Sequence, residues 1–417
     1  MLYRLKERIR NIIVRLFMSP KNNLADSVKA PFDVSDYTVK YIINSSVIIR
    51  LQKGGDIRYF RECRKHQKLK QYLSVAIDDY FENICQNEQK AEIRRCVLED
   101  LSNKNNYQKF VNMGSVFDAR LMEILAGVYA DYKAVGLPCF ENAEKQEFIP
   151  FIQYIQCILN SQKTNKHLQE GQLENANANK QIATYELAKC LGVEGLIPKV
   201  EMCKIVGEWE RIGTLMDAAP GIPPSEILPL DRKNIKTDTF LRDITNLEYF
   251  DALCYQLDHR LDNYHVVKNE DGQIANVVAF DNDATRTFFV RGKLPNRTYA
   301  GAGCVIVNGK VNRPYIDGEL ANRVCKVKKK ELFDAVGEYL SGFQFSALWK
   351  RIRRLKKAIE STAKNCQDFI VDDWTKVSVE KTADRKYGCT YFNLYLTDTL
   401  MLDREKMFNE WRENEGK

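Results

Sequence analysis

The chain lacks the cysteine and histidine patterns of a structural zinc site. Its twelve cysteines are spread singly from Cys63 to Cys389 with no CxxC pair, and its four histidines do not cluster with them. The sequence therefore gives no support to a zinc ribbon or a thioredoxin-type redox motif. No secretory signal is visible, and unpaired cysteines without an export signal are typical of a reducing cytosol. A cytoplasmic location is predicted.

Long apolar runs are also missing. No segment approaches 18 uninterrupted apolar residues, so no transmembrane helix is predicted. No internal repeat stands out. A net charge of +7 over 417 residues is modest, and it does not indicate a nucleic-acid partner. The composition, 44% hydrophobic and 29% charged, is that of a folded chain with room for two or three domains.

Residues 1–20 predict a basic amphipathic helix that Pro20 ends. Arg4, Arg8 and Arg15 lie opposite a stripe of apolar residues at helical spacing, namely Leu2, Leu5, Ile9, Ile12, Ile13 and Leu16. Such a helix either lies on an anionic membrane as a peripheral anchor or packs on its own domain or on a partner. Both alternatives stay open.

Residues 21–145 are predicted to form a mainly helical accessory region. A charged stretch over 56–101 carries apolar residues at three- and four-residue steps, and 116–132 has the pattern of a second amphipathic helix. No group of residues with an evident chemical role stands out there. This region is interpreted as an N-terminal helical extension.

In residues 146–225 the sequence pattern changes to short apolar runs with turn residues between them, which predicts a small β-rich unit. The apolar run 148–159 suggests a strand, and 198–205 and 208–216 suggest two more with a turn at Gly207. Between them, 180–191 predicts a helix that Gly192 stops. The capping candidates before this helix are Asn175, Asn177 and Asn179. A Pro- and Gly-rich connector, APGIPP, follows the strands.

Residues 226–417 predict a larger, mainly helical unit that contains one hairpin. Helices are expected over 226–257 and beyond 320, and strands over 264–267 and 273–280 flank an Asp271-Gly272 turn. The last helical stretch carries a run of cations that predicts a solvated face or a phosphate contact: Lys350, Arg351, Arg353, Arg354, Lys356 and Lys357. The fold class is therefore α+β.

The segment DHRLDNYHVVKNEDGQIANVVAFD, residues 258–281, carries most of the functional signal. It offers Asp258, then Asn263 five residues later, then Asp281 at the end of an apolar strand. Asn and Asp oxygens together with phosphate oxygens suit Mg²⁺, and a carboxylate near a hydroxyl can orient it and accept its proton. These three residues indicate phosphoryl transfer from Mg-ATP.

DHRLDNYHVV followed by VVAFDND resembles the catalytic and metal-binding loops of a group of atypical kinases. The group includes type II phosphatidylinositol 4-kinases, actin-fragmin kinase and HipA-like protein kinases. The resemblance implies a bilobal protein-kinase-like fold, with a small β-rich lobe and hinge over 146–225 and a larger lobe over 226–417. It also implies Asp258 as the catalytic base and Asn263 and Asp281 as Mg²⁺ ligands. Supporting residues around them would be Asp262, Asp283 and Arg260, the last displaced by one position from the family pattern.

Two weaker resemblances concern the nucleotide. IATYELAKCLGVEGLIPKVE is similar to the small-lobe helix and strand of the same group, and GTLMDAAPG to the strand and hinge against which adenine stacks. Met216 and Ala218 would then line the adenine. The ATP-binding Lys is expected near Asn160 and its carboxylate partner near Gln181, and neither residue fits. The alternatives are Lys163, Lys166 and Lys180 for the cation and Glu174 and Glu186 for its partner.

The predicted function is transfer of the ATP γ-phosphoryl group to a hydroxyl, with a protein Ser/Thr as the favoured acceptor. ATP and Mg²⁺ are the implied cofactors, and no nucleic-acid partner is predicted. Three alternatives stay open: a phosphoinositide-type lipid kinase, a nucleotide-binding pseudokinase that serves as an interaction module, and an enzyme of kinase fold that transfers a nucleotidyl group.

Overall fold

The chain divides into two compact units in a computed structural model. The helical unit comprises Met1–Val28, Asn175–Met202 and Met216–Trp411, and the sheet unit comprises Lys29–Glu174, Cys203–Leu215 and Arg412–Lys417. The structure describes residues 28, 31–43, 47–64, 69–85, 91, 94–95, 154, 176–207, 210–226, 235–256, 263–282, 294, 306–307, 309–311 and 315–377. The predictions that lie outside these residues concern the helices at 1–20 and 116–132 and Asn160, Lys163, Lys166, Glu174, Asn175, Asp258, Arg260, Asp262 and Asp283.

A six-stranded sheet is the main feature of the sheet unit. Its strands are β1 (Pro31–Asp33), β2 (Thr38–Ile43), β3 (Val47–Lys53), β4 (Asp56–Glu62), β5 (Val200–Val206) and β6 (Arg211–Asp217). Their order across the sheet is β1-β5-β6-β4-β3-β2. The strands β2, β3 and β4 form an antiparallel meander, and β1 runs parallel to β5.

Four of these strands lie where the sequence predicts helix, so the helical prediction for 21–145 is wrong over 31–62. The local physics favours strands there. Gly54, at φ +58°, makes the turn between β3 and β4. Ile49 and Leu51 alternate with less buried neighbours, and Phe60 completes the pattern on β4. The sheet that contains β5 and β6 is therefore built largely from the N-terminal part of the chain.

Beside this sheet, α1 (Leu69–Asn83) contributes Asp79 to a buried polar network. The Asp79 carboxylate accepts hydrogen bonds from Arg64 at 2.6 Å, from Arg211 and from the Tyr154 hydroxyl. Burial alone raises the pKa of Asp79, but hydrogen bonding from Arg211 and the charge of Arg64 lower it to about 2. Tyr154 lies in helical backbone, which contradicts the strand predicted over 148–159 at the residue described there.

The helical unit is built around α3 (Thr237–Cys254). Its other main elements are α2 (Ala176–Leu191), β7 (Tyr264–Lys268), β8 (Ile274–Ala279), α4 (Gly318–Lys326), α5 (Lys329–Val336) and α6 (Gly342–Ala363). Short strands form two further pairs, β9 (Ile306–Val307) with β10 (Lys310–Val311), and β11 (Ile316–Asp317) with β12 (Ile370–Val371). Phe240, Leu241, Ile244, Leu247 and Phe250 of α3 are fully buried in one continuous apolar core.

The helix predicted over 180–191 is confirmed as α2, and it begins earlier, at Ala176. Asn177 and Asn179 therefore lie inside the helix, and their prediction as capping residues is wrong. Gly192, at φ +73°, ends the helix in the left-handed conformation that glycine adopts without strain. The helix predicted over 226–257 is confirmed in part as α3, which begins at Thr237 and ends at Cys254, whereas Ile235 forms a bridge to Ile274. The helical prediction beyond 320 is confirmed by α4, α5 and α6.

One member of the predicted basic face of α6 points into the protein. Arg351 is fully buried, whereas Lys350, Arg353 and Arg354 are exposed. Helical spacing explains the difference, because Arg351 shares a face with the buried Leu348, Ile352 and Leu355. The inclusion of Arg351 in a solvated basic face is therefore wrong.

Among the described residues, no helix is both long and apolar enough to cross a bilayer.

Candidate functional site

The predicted hairpin is confirmed as β7 and β8, which pair in an antiparallel ladder. Tyr264 lies opposite Ala279, and the turn is closed by hydrogen bonds between Asn269 and Gln273. Gly272 adopts φ +78° in this turn. The alternation of buried Tyr264 and Val266 with more exposed neighbours on β7 matches the one-sided burial of such a ladder.

The hairpin brings Asn263 and Asp281 to the same end of the ladder. The Phe280 amide donates to the Asn263 carbonyl at 3.0 Å, so Asn263 lies opposite Phe280 and next to the strand that delivers Asp281. Asn263 is 6% exposed, and Asp281 is half-buried. Two oxygen-bearing side chains thus lie at one ladder end, partly shielded from water.

Asp281 has a left-handed backbone, at φ +58°. Non-glycine residues adopt this conformation at a cost, although Asp and Asn tolerate it better than most. Strained residues of this kind cluster at functional sites, where the surrounding structure holds them in place. The next residue, Asn282, is 4% exposed. The backbone at 281–282 is therefore bent where β8 ends.

The connector after β6 is hydrogen-bonded to the hairpin. Ile222 and Val266 exchange both backbone hydrogen bonds, at 2.9 and 3.0 Å. Gly221, at φ +92°, approaches the Val266 carbonyl so closely that an added Cβ would collide with it. The glycine is therefore required by both the backbone conformation and the close approach. This contact fixes the predicted hinge segment against the strand that begins at Tyr264.

His265 adds a side-chain contact to the same junction. Its Nδ1 lies 3.0 Å from the Ala219 carbonyl, so Nδ1 carries the proton and donates. Its ring packs edge-on against Phe280 with centroids 4.9 Å apart. The imidazole thereby contacts the connector and the residue before Asp281. This geometry makes His265 a structural residue of the junction.

Helix α3 supports the hairpin from the other strand. The Asn276 side chain donates to Asp243 at 2.8 Å, and the Lys236 amide donates to the Ile274 carbonyl at 2.8 Å. Burial raises the pKa of Asp243, and the charge of Arg242 and the hydrogen bond from Asn276 oppose this shift. The hairpin is therefore attached to a helix whose apolar face is entirely in the core.

The C-terminus of α3, at Cys254, lies four residues before Asp258 in the sequence and is held by Arg351. The Arg351 Nε donates to the Leu253 carbonyl at 2.7 Å, and its guanidinium lies 5.8 Å from the Tyr255 ring centroid. A cation at a helix C-terminus interacts favourably with the exposed carbonyl dipoles. Burial lowers the pKa of Arg351 to about 10, so it stays charged at neutral pH.

The nucleotide-binding candidates that the structure describes lie on α2 and at the end of β6. Gln181 is buried, and Lys180, Met216 and Ala218 are half-buried. Glu186 forms an ion pair with Lys189 at 2.9 Å, one turn along the same helix. This ion pair is local to α2, and the pairing of Glu186 with an ATP-binding lysine stays a prediction.

The donor set at the hairpin fits a magnesium ion that is bound together with a phosphate ligand. Asn263 and Asp281 supply an amide and a carboxylate oxygen, and Mg²⁺ in such sites takes few protein ligands and completes its shell with water and phosphate. Within the described part of the chain, no group of three His, Cys, Asp or Glu side chains is placed to hold a metal. The pair is thus a partial site.

Two residues of this region, Gly221 and Asn282, were not predicted from the sequence to have a role. Arg351 was predicted only as part of the basic face of α6. The pattern of apolar residues three and four positions away could have indicated the burial of Arg351, and a glycine between prolines marks a special backbone position for Gly221. No sequence signal indicates the burial of Asn282.

No protein-family model matches the chain, and no curated protein shows significant sequence similarity to it.

Proposed function

We propose that the chain is a Mg-ATP-dependent phosphotransferase that transfers the γ-phosphoryl group to a hydroxyl of a protein Ser or Thr. In this proposal Asn263 and Asp281 hold the metal, and Asp258 orients the acceptor hydroxyl and takes its proton. Mg²⁺ held by Asn263 and Asp281 would supply positive charge that offsets the negative charge developing during transfer.

The observation that carries the proposal is the β7–β8 ladder. It places Asn263 and Asp281 at one end of a hairpin whose first strand is hydrogen-bonded to the connector after β6. A metal site and a nucleotide-binding segment need such fixed spacing, because phosphoryl transfer depends mainly on positioning and charge. The left-handed backbone of Asp281 adds a local feature that a simple structural hairpin does not need.

The fold is proposed to be bilobal and kinase-like. An α+β chain with one unit built on a six-stranded sheet and one mainly helical unit is compatible with it. The small lobe in this proposal differs from the sequence prediction, because β1 to β4 join the sheet of β5 and β6. Residues 31–62 then belong to the small lobe and not to a separate helical region.

The decisive experiment incubates the full chain with Mg-ATP labelled at the γ- or the α-phosphate, alone and with a mixture of protein acceptors. Transfer of γ-label to protein Ser or Thr is expected. Transfer of α-label alone would identify a nucleotidyl transferase, and no transfer of either label would favour a nucleotide-binding module. Label in added phosphoinositide and none in protein would identify a lipid kinase.

A matched pair of variants connects the activity to the hairpin. Asp281→Asn removes the carboxylate at the ladder end, and Asp271→Asn makes the same chemical change in the exposed turn of the same hairpin. We expect Asp281→Asn to lose transfer and Asp271→Asn to keep it. Equal activity in the two variants would contradict the metal-ligand role of Asp281.

A further inference from the structure

The positive charge of the chain is concentrated in one stretch of helices. Residues 318–364, which contain α4, α5 and α6, hold twelve Lys and Arg and five Asp and Glu. Their net charge of +7 equals that of all 417 residues, so the remainder of the chain is balanced. A local excess of this size creates a positive potential that attracts anionic partners.

The outer face of α6 carries the largest part of this excess. Lys350, Arg354 and Lys357 recur at helical spacing on one exposed stripe, and Arg353 lies beside it. None of these four side chains forms an ion pair with a described residue. Exposed cations without anionic partners remain available to an external anion.

The ends of α4 and α5 extend this face sideways. Lys356 of α6 donates to the Cys325 carbonyl at 2.6 Å, which holds the C-terminus of α4 against α6. On α5, Phe333 packs edge-on against Phe345 of α6 with ring centroids 5.1 Å apart. The exposed Lys328, Lys329 and Lys330 lie in the chain between these two contacts and therefore beside α6. We call this surface, made of the exposed residues of 326–330, 333, 343, 350, 353, 354 and 357, the basic face.

Two exposed aromatic rings lie within the basic face. Phe333 is 53% exposed and lies one turn beyond Lys329 and Lys330, and Phe343 is 41% exposed on the same stripe as Lys350. Among the described residues, only one other large apolar side chain is comparably exposed, Val75 in the sheet unit. Apolar rings among unpaired cations are unfavourable in water and therefore mark a contact surface.

We propose that the basic face binds an anionic phospholipid membrane surface. Lys and Arg side chains would contact lipid headgroups, and the two Phe rings would enter the boundary between headgroups and acyl chains. A nucleic-acid duplex would neutralise the cations but would leave the exposed parts of the Phe333 and Phe343 side chains in water. The bilayer interface satisfies both features, and the proposal is independent of nucleotide binding and of the phosphotransferase activity.

Co-sedimentation of the full chain with vesicles tests the proposal. The probes are vesicles of phosphatidylcholine with or without phosphatidylserine, and a single-stranded and a duplex oligonucleotide are added as competitors. The face variant is Lys350→Gln, Arg354→Gln and Lys357→Gln together. Its control makes the same charge change at Lys40, Lys53 and Lys204 of the six-stranded sheet. The unaltered chain should bind only the anionic vesicles, and binding should weaken as salt rises from about 0.1 M to about 0.5 M.

The face variant should bind about 100-fold more weakly than the control, because each cation near an anionic bilayer contributes roughly a fivefold change. Phe333→Ser should weaken binding less and leave its salt dependence unchanged, since it removes apolar insertion and no charge. Equal binding of anionic vesicles by the face variant and the control would overturn the proposal. It would indicate that another segment, for example residues 1–20, contacts the membrane. Absence of binding to anionic vesicles, or displacement of the chain by an oligonucleotide at equal phosphate concentration, would also overturn it.

Discussion

Asp281 combines a proposed Mg²⁺-binding carboxylate with a left-handed backbone. Substitution by Gly, Ala or Asn separates the effect on metal binding from the effect on stability. At φ +58° an alanine is strained by about 1–2 kcal/mol, whereas glycine adopts this conformation freely. The glycine variant is also destabilised by about 0.5–1 kcal/mol relative to alanine, because its unfolded chain has greater conformational entropy. Together these two effects predict that the free energy of unfolding of Asp281→Gly is about 1 kcal/mol larger than that of Asp281→Ala. Asp281→Asn should lie close to the glycine variant, since Asn tolerates the same conformation.

Asp281→Gly and Asp281→Ala remove both side-chain oxygens and should lose Mg²⁺-dependent binding of ATP. Asp281→Asn keeps one amide oxygen without the charge and should weaken this binding. Urea unfolding followed by tryptophan fluorescence measures the stability order, and titration calorimetry with and without Mg²⁺ measures binding. Asp281→Gly is the informative variant because it relieves the strain while it removes the ligand. If it retained Mg²⁺-dependent binding, the ligand assignment would be wrong. If Asp281→Ala proved the more stable of the two, the backbone argument would be wrong.

Three further predictions concern other parts of the protein. Asp258→Asn should keep Mg-ATP affinity and lose phosphoryl transfer, which single-turnover assays beside calorimetry would measure; full transfer would remove the base assignment. Asp79→Asn should lower the free energy of unfolding by about 2 kcal/mol at neutral pH. Because the folded pKa of Asp79 lies below its unfolded value of 3.8, that difference should shrink as pH falls from about 4 towards about 2. Gly221→Ala should increase amide exchange at Val266, since its Cβ collides with that carbonyl; unchanged exchange would contradict the close approach.

The elements of the helical unit were predictable because their periodicity is local. Helix α3 has apolar residues at three- and four-residue steps, and the β7–β8 hairpin has an Asp271-Gly272 turn between two apolar strands. In both cases the pattern within fewer than 20 residues determines the structure. The predicted boundaries of these elements were less accurate. Helix α2, for example, begins at Ala176 and not at Lys180 as predicted.

The sheet unit was predicted less well because its pairing is not local. β1 pairs with β5 across more than 160 residues, and β4 lies next to β6 across a similar separation. No sequence pattern within β1 to β4 predicts that β5 and β6 are their neighbours. The helical interpretation of the charged stretch from 56 also overlooked the Gly54-Gly55 turn, which closes the β3–β4 hairpin. The sequence therefore contained a turn that predicts the β3–β4 hairpin, but no pattern that predicts which strands lie next to this hairpin in the sheet.

At the candidate site, the sequence identified the residues that lie at the ladder end but not what holds them there. Asn263 and Asp281 followed from residue type and spacing. The contacts that fix them follow from tertiary structure: Gly221 against Val266, and His265 against the Ala219 carbonyl. Such contacts join segments about 45 residues apart, and their residue types are common in ordinary turns.

The connector contact bears on how the proposed site would be organised. Because Ile222 and Val266 exchange both backbone hydrogen bonds, the segment after β6 is paired with the strand after Asn263. The segment in which the sequence predicts adenine stacking, at Met216 and Ala218, is therefore tied through a short, proline-containing connector to the proposed metal ligands. Pre-organised ligands reduce the ordering cost of binding and favour transfer geometry. Loss of this contact should consequently impair catalysis even when Asn263 and Asp281 are intact, and this expectation distinguishes a positioned site from two independent polar residues.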